Sequence, residues 1–213
     1  MRGMRRVLPA LGASLALLGM AAGSAGAAKT LTLETAAGPL MPGAAIVFSS
    51  NDLVFVSVQG NDECSKDVLT GTVEANSAKK VAISFGEASF NGEEGGGVCK
   101  DTEPLGPAKW TTEELPWPLT LTPNGAGKLQ GSPKITMVEE HPFDKGEKCV
   151  WQAAKLLATF AQTGTTPEPL TLTVTKQALK TDRKRSNPAC QKEDVASGHF
   201  TAMSSGEIVL ART

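Results

Sequence analysis

The chain has 213 residues, with 21 basic and 22 acidic side chains, two histidines and no tyrosine. A balance this close to neutral gives no electrostatic case for nucleic acid, which selects basic domains. The length suffices for one sizeable core or two small ones.

The first residues carry Arg2, Arg5 and Arg6, then an apolar run over residues 7–22, then the small residues Gly23-Ser24-Ala25-Gly26-Ala27-Ala28. A basic head, a short apolar middle and an Ala-x-Ala exit predict a signal peptide over residues 1–27. The apolar run contains Pro9 and several glycines and falls short of the ~20 residues that a membrane-spanning helix needs. The segment holds no cysteine for lipid attachment, and no later apolar run reaches that length. The expectation is a secreted, extracellular chain of residues 28–213 with no membrane span. Without the three arginines of residues 1–27 it carries 18 basic against 22 acidic residues, net −4, an ordinary soluble surface.

Past residue 28 the apolar spacing is mostly two, the period of a half-buried strand. Leu31 and Leu33 alternate with threonines and Glu34. Leu53-Val54-Phe55-Val56 is apolar on both faces and predicts a central strand. Val81, Ile83 and Phe85 share one face, as do Trp117, Leu119 and Leu121. In residues 170–175 leucine and valine alternate strictly with threonine. Asn76-Ser77, Asn91-Gly92, Asn124-Gly125 and Ser205-Gly206 punctuate these runs as turns. Asn124-Gly125, between Leu119-Thr120-Leu121-Thr122 and Lys128-Leu129, predicts a hairpin. Residues 150–161 are ambiguous: Val150, Ala153, Ala154, Leu157, Ala158 and Ala161 fall at helical spacing. The flanking strands and the Thr159-Phe160 exit favour a strand there.

Cys64, Cys99, Cys149 and Cys190 are an even set behind an export signal, which reads as two disulfides. No C-x-x-C pair exists and the only histidines are His141 and His199, so no metal site is expected. Four cysteines allow three pairings. The shortest loops favour Cys64–Cys99 and Cys149–Cys190. An apolar-x-small-x-apolar triplet follows three of the cysteines: Leu69-x-Gly71-x-Val73, Leu156-x-Ala158-x-Phe160 and Ala196-x-Gly198-x-Phe200. The small middle residue would admit a neighbouring backbone or ring. The first two copies sit one in each short disulfide loop, consistent with two diverged halves within a single domain.

The Leu-Thr-Gly-Thr-Val run after Cys64, Cys99 in a glycine-rich loop, Trp117-Pro118-Leu119-Thr120-Leu121, and the later Cys149 and Cys190 together resemble a group of uncharacterised secreted β-rich proteins of high-GC Gram-positive bacteria. The resemblance spans nearly all of residues 28–213. It implies compartment and fold only, since no activity is known for that group.

Candidate chemistry is sparse. Trp110, in a loop rich in proline and glycine and close to Glu113-Glu114, is the residue most suited to stack on a sugar face; Trp117 alternates with core leucines. Glu139-Glu140-His141-Pro142-Phe143-Asp144 is the one cluster of histidine and carboxylates. Its consecutive residues would point to opposite faces of a strand, so it reads as a polar loop. Glu93-Glu94-Gly95-Gly96-Gly97 lacks the spaced ligands of a calcium loop and reads as a solvated tip. Arg183, Lys184 and Arg185, with Lys180, form a basic run able to touch anionic wall polymers. No G-x-S-x-G elbow or phosphate loop is present.

These features predict an all-β chain, an antiparallel sandwich of about ten strands, with a closed barrel as the alternative. They predict no cofactor and a non-catalytic binding or structural role at or near the cell surface, toward wall polymer or another secreted protein. The competing expectations are a carboxylate-based, glycosidase-like hydrolase, whose acids would come from separate strands, and an inhibitor acting through residues 92–100.

Overall fold

A computed structural model describes residues 31–58, 60–93, 96–101, 106–124, 128–131, 135–141, 147–153, 158–161, 170–202 and 208–212. The proposed signal peptide, the turn at Ser205-Gly206, and Leu156 lie outside the described residues. Every regular element among them is a β-strand. In chain order these are β1 (Leu31–Thr35), β2 (Gly38–Pro39), β3 (Ala45–Ser50), β4 (Leu53–Val56), β5 (Asn61–Cys64), β6 (Asp67–Ser77), β7 (Lys80–Ser89), β8 (Val98–Asp101) and β9 (Ala108–Glu113). They continue as β10 (Trp117–Asn124), β11 (Lys128–Gly131), β12 (Ile135–His141), β13 (Glu147–Ala153), β14 (Ala158–Ala161), β15 (Thr171–Thr181), β16 (Glu193–Ala202) and β17 (Val209–Arg212). Strands exceed the ten expected because short turns, such as Asn51-Asp52, split apolar runs where the chain changes neighbours.

Three strands form a small antiparallel sheet in the order β17-β1-β2, and the rest close into a barrel. The barrel, not the open sandwich, is therefore the architecture of the two expected. Its pairings trace two closed circuits that share β15 and β16. One runs β10-β11-β14-β15-β16-β3-β6-β7. The other runs β15-β13-β12-β9-β8-β5-β4-β16. The circuits part at a bulge in β15 between Val174 and Gln177. Lys176 sits there at φ 45°, its N–H taken by the Ser197 hydroxyl at 2.9 Å. A bulge of this kind re-aims a strand, and β15 pairs with β14 before it and β13 after it.

The alternating residues do what their spacing predicts: Leu33, Val81, Ile83, Phe85, Trp117, Leu119, Leu121, Leu172 and Val174 are buried in one apolar cluster. β10 and β11 form the expected hairpin, with Asn124 opposite Lys128. Residues 147–153 and 158–161 are strands, so β-structure prevails over helical spacing in the described part of that stretch. β4 lies between β5 and β16 as expected, but Val56 on its outer face is exposed. Both disulfides join sequential cysteines, Cys64–Cys99 and Cys149–Cys190, with Cα atoms 4.7 and 5.6 Å apart.

Two of the small triplet residues are sites of close approach. A Cβ on Gly71 would lie 2.8 Å from the Ser84 carbonyl oxygen and 2.9 Å from the Phe85 ring. A Cβ on Gly198 would lie 2.9 Å from the Leu53 Cα. Such distances exclude any side chain unless the backbone moves. At Gly198 this draws β16 against the β3–β4 turn, which builds the site described next.

Candidate functional site

Among the described residues, the barrel interior is packed with apolar side chains. Its central space is about 50 Å³, lined only by apolar side chains such as Phe55, Phe85, Trp117 and Leu172. On the surface, polar side chains converge around the β3–β4 turn.

That turn is built locally. The Ser50 hydroxyl accepts the Asp52 N–H at 3.3 Å and donates to Asp52 Oδ1 at 3.1 Å, a side-chain turn that serine and aspartate favour. It holds the Asp52 carboxylate upright against β16. Oδ1 accepts the His199 backbone N–H at 2.8 Å and Oδ2 meets His199 Nδ1 at 2.7 Å. Burial pushes the Asp52 carboxyl upward, but the His199 N–H, the imidazole and the Ser50 hydroxyl outweigh it and hold it below the usual range. The carboxylate is thus ionised at neutral pH. An ionised carboxylate there accepts from Nδ1–H and so fixes the orientation of the ring. The His199 side chain remains 59% exposed. It lies on the rim of a groove of about 460 Å³, with Ser49, Ser50, Asn51, Ser65, Lys66 and Thr201 among its other lining residues.

Asp67, at the start of β6, also borders the groove but is fully buried. Its Oδ1 accepts the Asn91 N–H at 3.0 Å, and its Oδ2 has no hydrogen-bond partner among the described residues. Burial pushes its carboxyl up to about 7; the Asn91 hydrogen bond opposes this and the Asp52 charge adds to it. Asp52 and Asp67 are therefore neighbouring carboxyls driven apart in acidity, a pattern that assigns base and acid roles in some hydrolases. Here the proton-holding member is sealed from solvent and cannot reach a substrate as placed.

A second groove, of about 410 Å³, lies over the Cys64–Cys99 disulfide, bordered by Glu63, Ser65, Glu93, Lys100 and Asp101. Ser65 lines both grooves.

The residues singled out from sequence fall elsewhere. Trp110 is not a surface platform. It is 1% exposed, stacked on Phe55 with ring centroids 3.9 Å apart, and its indole N–H donates to Asp62 Oδ2 at 2.9 Å. Ala108 and Trp110 alternate inward on β9, and that strand period overrides the loop composition around them. Trp117 is core, as expected. The Arg183-Lys184-Arg185 run is exposed but partly spent. Arg185 reaches Asp182, Glu113 and Glu114 at 2.8, 3.2 and 3.2 Å, and Arg183 donates to the Cys190 carbonyl at 2.7 Å. Lys184 alone of the three has no side-chain hydrogen bond or ion pair among the described residues.

Glu139 is not in a polar loop; β12 runs to His141, and Glu139 is buried with Oε2 accepting the Trp151 indole N–H at 2.7 Å. Glu147 lies close to Cys149 and Cys190, but those sulfurs are bonded to each other and offer no thiolate to a metal. None of these residues joins the groove. Asp52 and His199, which build it, are 147 residues apart and no linear motif connects them.

No helix among the described residues is long and apolar enough to cross a membrane, and the two disulfides are consistent with an oxidising, extracellular setting. No family model matches the chain, no curated protein matches it, and no solved structure matches it.

Proposed function

We propose that this chain is a secreted, non-catalytic binding module that acts at or near the cell surface, and that it binds through the groove beside His199. The observation that carries this reading is the order of contacts around Asp52. Both the Ser50 hydroxyl and the His199 ring bind the carboxylate, so the hydroxyl is not on the imidazole. A serine nucleophile needs its base at the hydroxyl, with the acid behind the base; here serine and base hang on the same acid. What remains is a recognition surface of hydroxyls, an amide, a lysine and an oriented imidazole, on a strand framework. The apolar filling of the barrel and the buried place of all three tryptophans support surface recognition over an enclosed reaction chamber.

A hydrolase is the second reading, favoured by the divergent acidities of Asp52 and Asp67. The burial of Asp67 and the double engagement of Asp52 weigh against it. The two are separated by incubating the purified mature protein with isolated cell wall, then assaying retention and released fragments together. The binding reading predicts retention without new reducing ends or free amines. Fragment release that is lost in Asp52→Asn would overturn it in favour of hydrolysis.

A further inference from the structure

Asp67 anchors a hub that joins two otherwise separate turns. The Asn91 N–H is held by Asp67 Oδ1. The Asn91 carbonyl accepts the N–H groups of Ser65 and Lys66, both at 2.8 Å, and its side-chain Oδ1 accepts the Gly97 N–H at 2.6 Å. Beyond the hub, Gly92 N–H donates to the Val98 carbonyl, the Gly97 carbonyl accepts the Trp110 N–H, and Lys66 Nζ donates to the Glu93 carbonyl at 2.9 Å. One residue thus fastens the β5–β6 turn to the β7–β8 connection, and the two grooves border the fastened segments: Ser65, Lys66 and Asp67 in one, Ser65, Gly92 and Glu93 in the other. Gly92 has no alternative, because a Cβ there would lie 2.8 Å from the Val98 carbonyl oxygen.

The anchor is chemically unbalanced. A buried carboxylate oxygen without a donor is costly when ionised and far less so when neutral. From the β3–β4 turn the nearby charge is Asp52, of like sign; Ser50 stands opposite Asp67 on β3 and is neutral. The Lys66 ammonium is engaged at Glu93 and not at Asp67, and the His199 imidazole faces Asp52. Among the described residues, no cation pairs with Asp67 in the closed arrangement.

We infer that Asp67 is a proton-operated latch: protonated, it holds the Asn91 hub and the walls of both grooves closed; ionised, it drives the hub to open so that water reaches the carboxylate. This regulation concerns the groove of the proposed function, but the latch itself stands without any ligand. The closed form binds the proton more tightly than the open form, whose carboxyl has an ordinary pKa near ~4. Opening therefore rises as pH climbs through the interval between ~4 and the closed-state value, by at most about tenfold per unit, and levels off above it.

Amide hydrogen exchange of the full mature protein, corrected for intrinsic rates, tests this at about pH 4.5 and about pH 7.5. Protection at Asn91, Gly92 and Gly97 should fall at least ~tenfold at the higher pH relative to the β6–β7 ladder. In Asp67→Asn, which keeps the shape without the charge, protection of these amides should no longer change with pH. Equal protection of the wild type at both values, or an unchanged pH response in Asp67→Asn, would overturn the latch. Should that variant fold poorly, a carbon-13 carboxyl titration of Asp67 in the wild type decides the matter. A midpoint raised above the ordinary aspartate value, with the Asn91, Gly92 and Gly97 amide shifts titrating alongside it, supports the latch; a midpoint near the ordinary value, or amide shifts that do not follow it, ends it. Neither readout uses wall material, so failure of the binding reading leaves this result intact.

Discussion

Asp52 holds His199 by both ends, with one carboxylate oxygen on the backbone N–H at 2.8 Å and the other on Nδ1 at 2.7 Å. A single carboxylate that fixes both the strand and the ring of a residue 147 positions away ties the β3–β4 turn to β16. Asp52→Asn retains the shape but loses the charge, and its amide cannot accept at both positions. We expect a loss of about 1–2 kcal/mol in urea unfolding and a shift of the His199 tautomer away from Nδ1–H, read by long-range proton–nitrogen-15 correlation. A tautomer unchanged by the substitution would show that Asp52 does not orient the ring.

Gly198 is where the dyad is made possible. Gly198→Ala places a methyl group 2.9 Å from the Leu53 Cα and 3.3 Å from the Asp52 carbonyl oxygen, so β16 must withdraw. The expected cost is about 1–3 kcal/mol, accompanied by loss of the Asp52-dependent His199 tautomer. Gly86→Ala is the control, since nothing lies within 4 Å of a Cβ there. Equal stability of the two variants, measured by chemical denaturation, would contradict the close approach.

Much of this framework was legible in the sequence, and the reasons are local. Trp117, Leu119 and Leu121 alternate because a strand alternates, and the sequential disulfides follow from loop length. The small centres of two triplets mark close approach because only glycine leaves the required space. Proline and glycine near Trp110 suggest a loop, whereas β9 continues through it and Phe55 covers its ring. A run of consecutive polar residues at Glu139 suggests a loop, but β12 continues through it, and the Trp151 indole N–H satisfies the inward carboxylate. The groove was invisible because Asp52 and His199 meet only through tertiary pairing of β4 and β16.

Stability should depend on pH in an unusual direction. Asp67 and Asp194 are both pushed up to about 7 by burial, with Asp52 and Glu139 respectively adding like charge. Unfolded, each carboxyl returns to near ~4. Between those values the folded chain binds more protons than the unfolded chain, so stability falls as pH rises from ~4 to about 7 and is flat beyond. Asp52, held low, acts oppositely and only at lower pH, so the maximum lies on the acid side of neutrality. Each raised carboxyl contributes on the order of 2–4 kcal/mol across the window. Urea unfolding at a series of pH values should show this slope, and Asp67→Asn with Asp194→Asn should flatten it. A wild type more stable at neutral than at mildly acidic pH would refute it.

Trp110 should behave as a core residue whose polar edge matters. Trp110→Phe keeps an aromatic ring on Phe55 but removes the N–H that Asp62 accepts, for an expected cost of about 1–3 kcal/mol. Trp110→Ala should cost about 3–5 kcal/mol. Folded Trp110→Phe should retain full wall binding in a pelleting assay; selective loss of binding without loss of stability would restore Trp110 as a ligand contact.

The proposed groove beside His199 should bind wall material without catalysis. This is tested most directly by co-sedimentation of the purified mature protein with isolated cell wall, wild type against His199→Gln. The wild type should pellet with the wall and the folded variant should stay in the supernatant. Equal partitioning of the two proteins, whether both bound or both free, would contradict it.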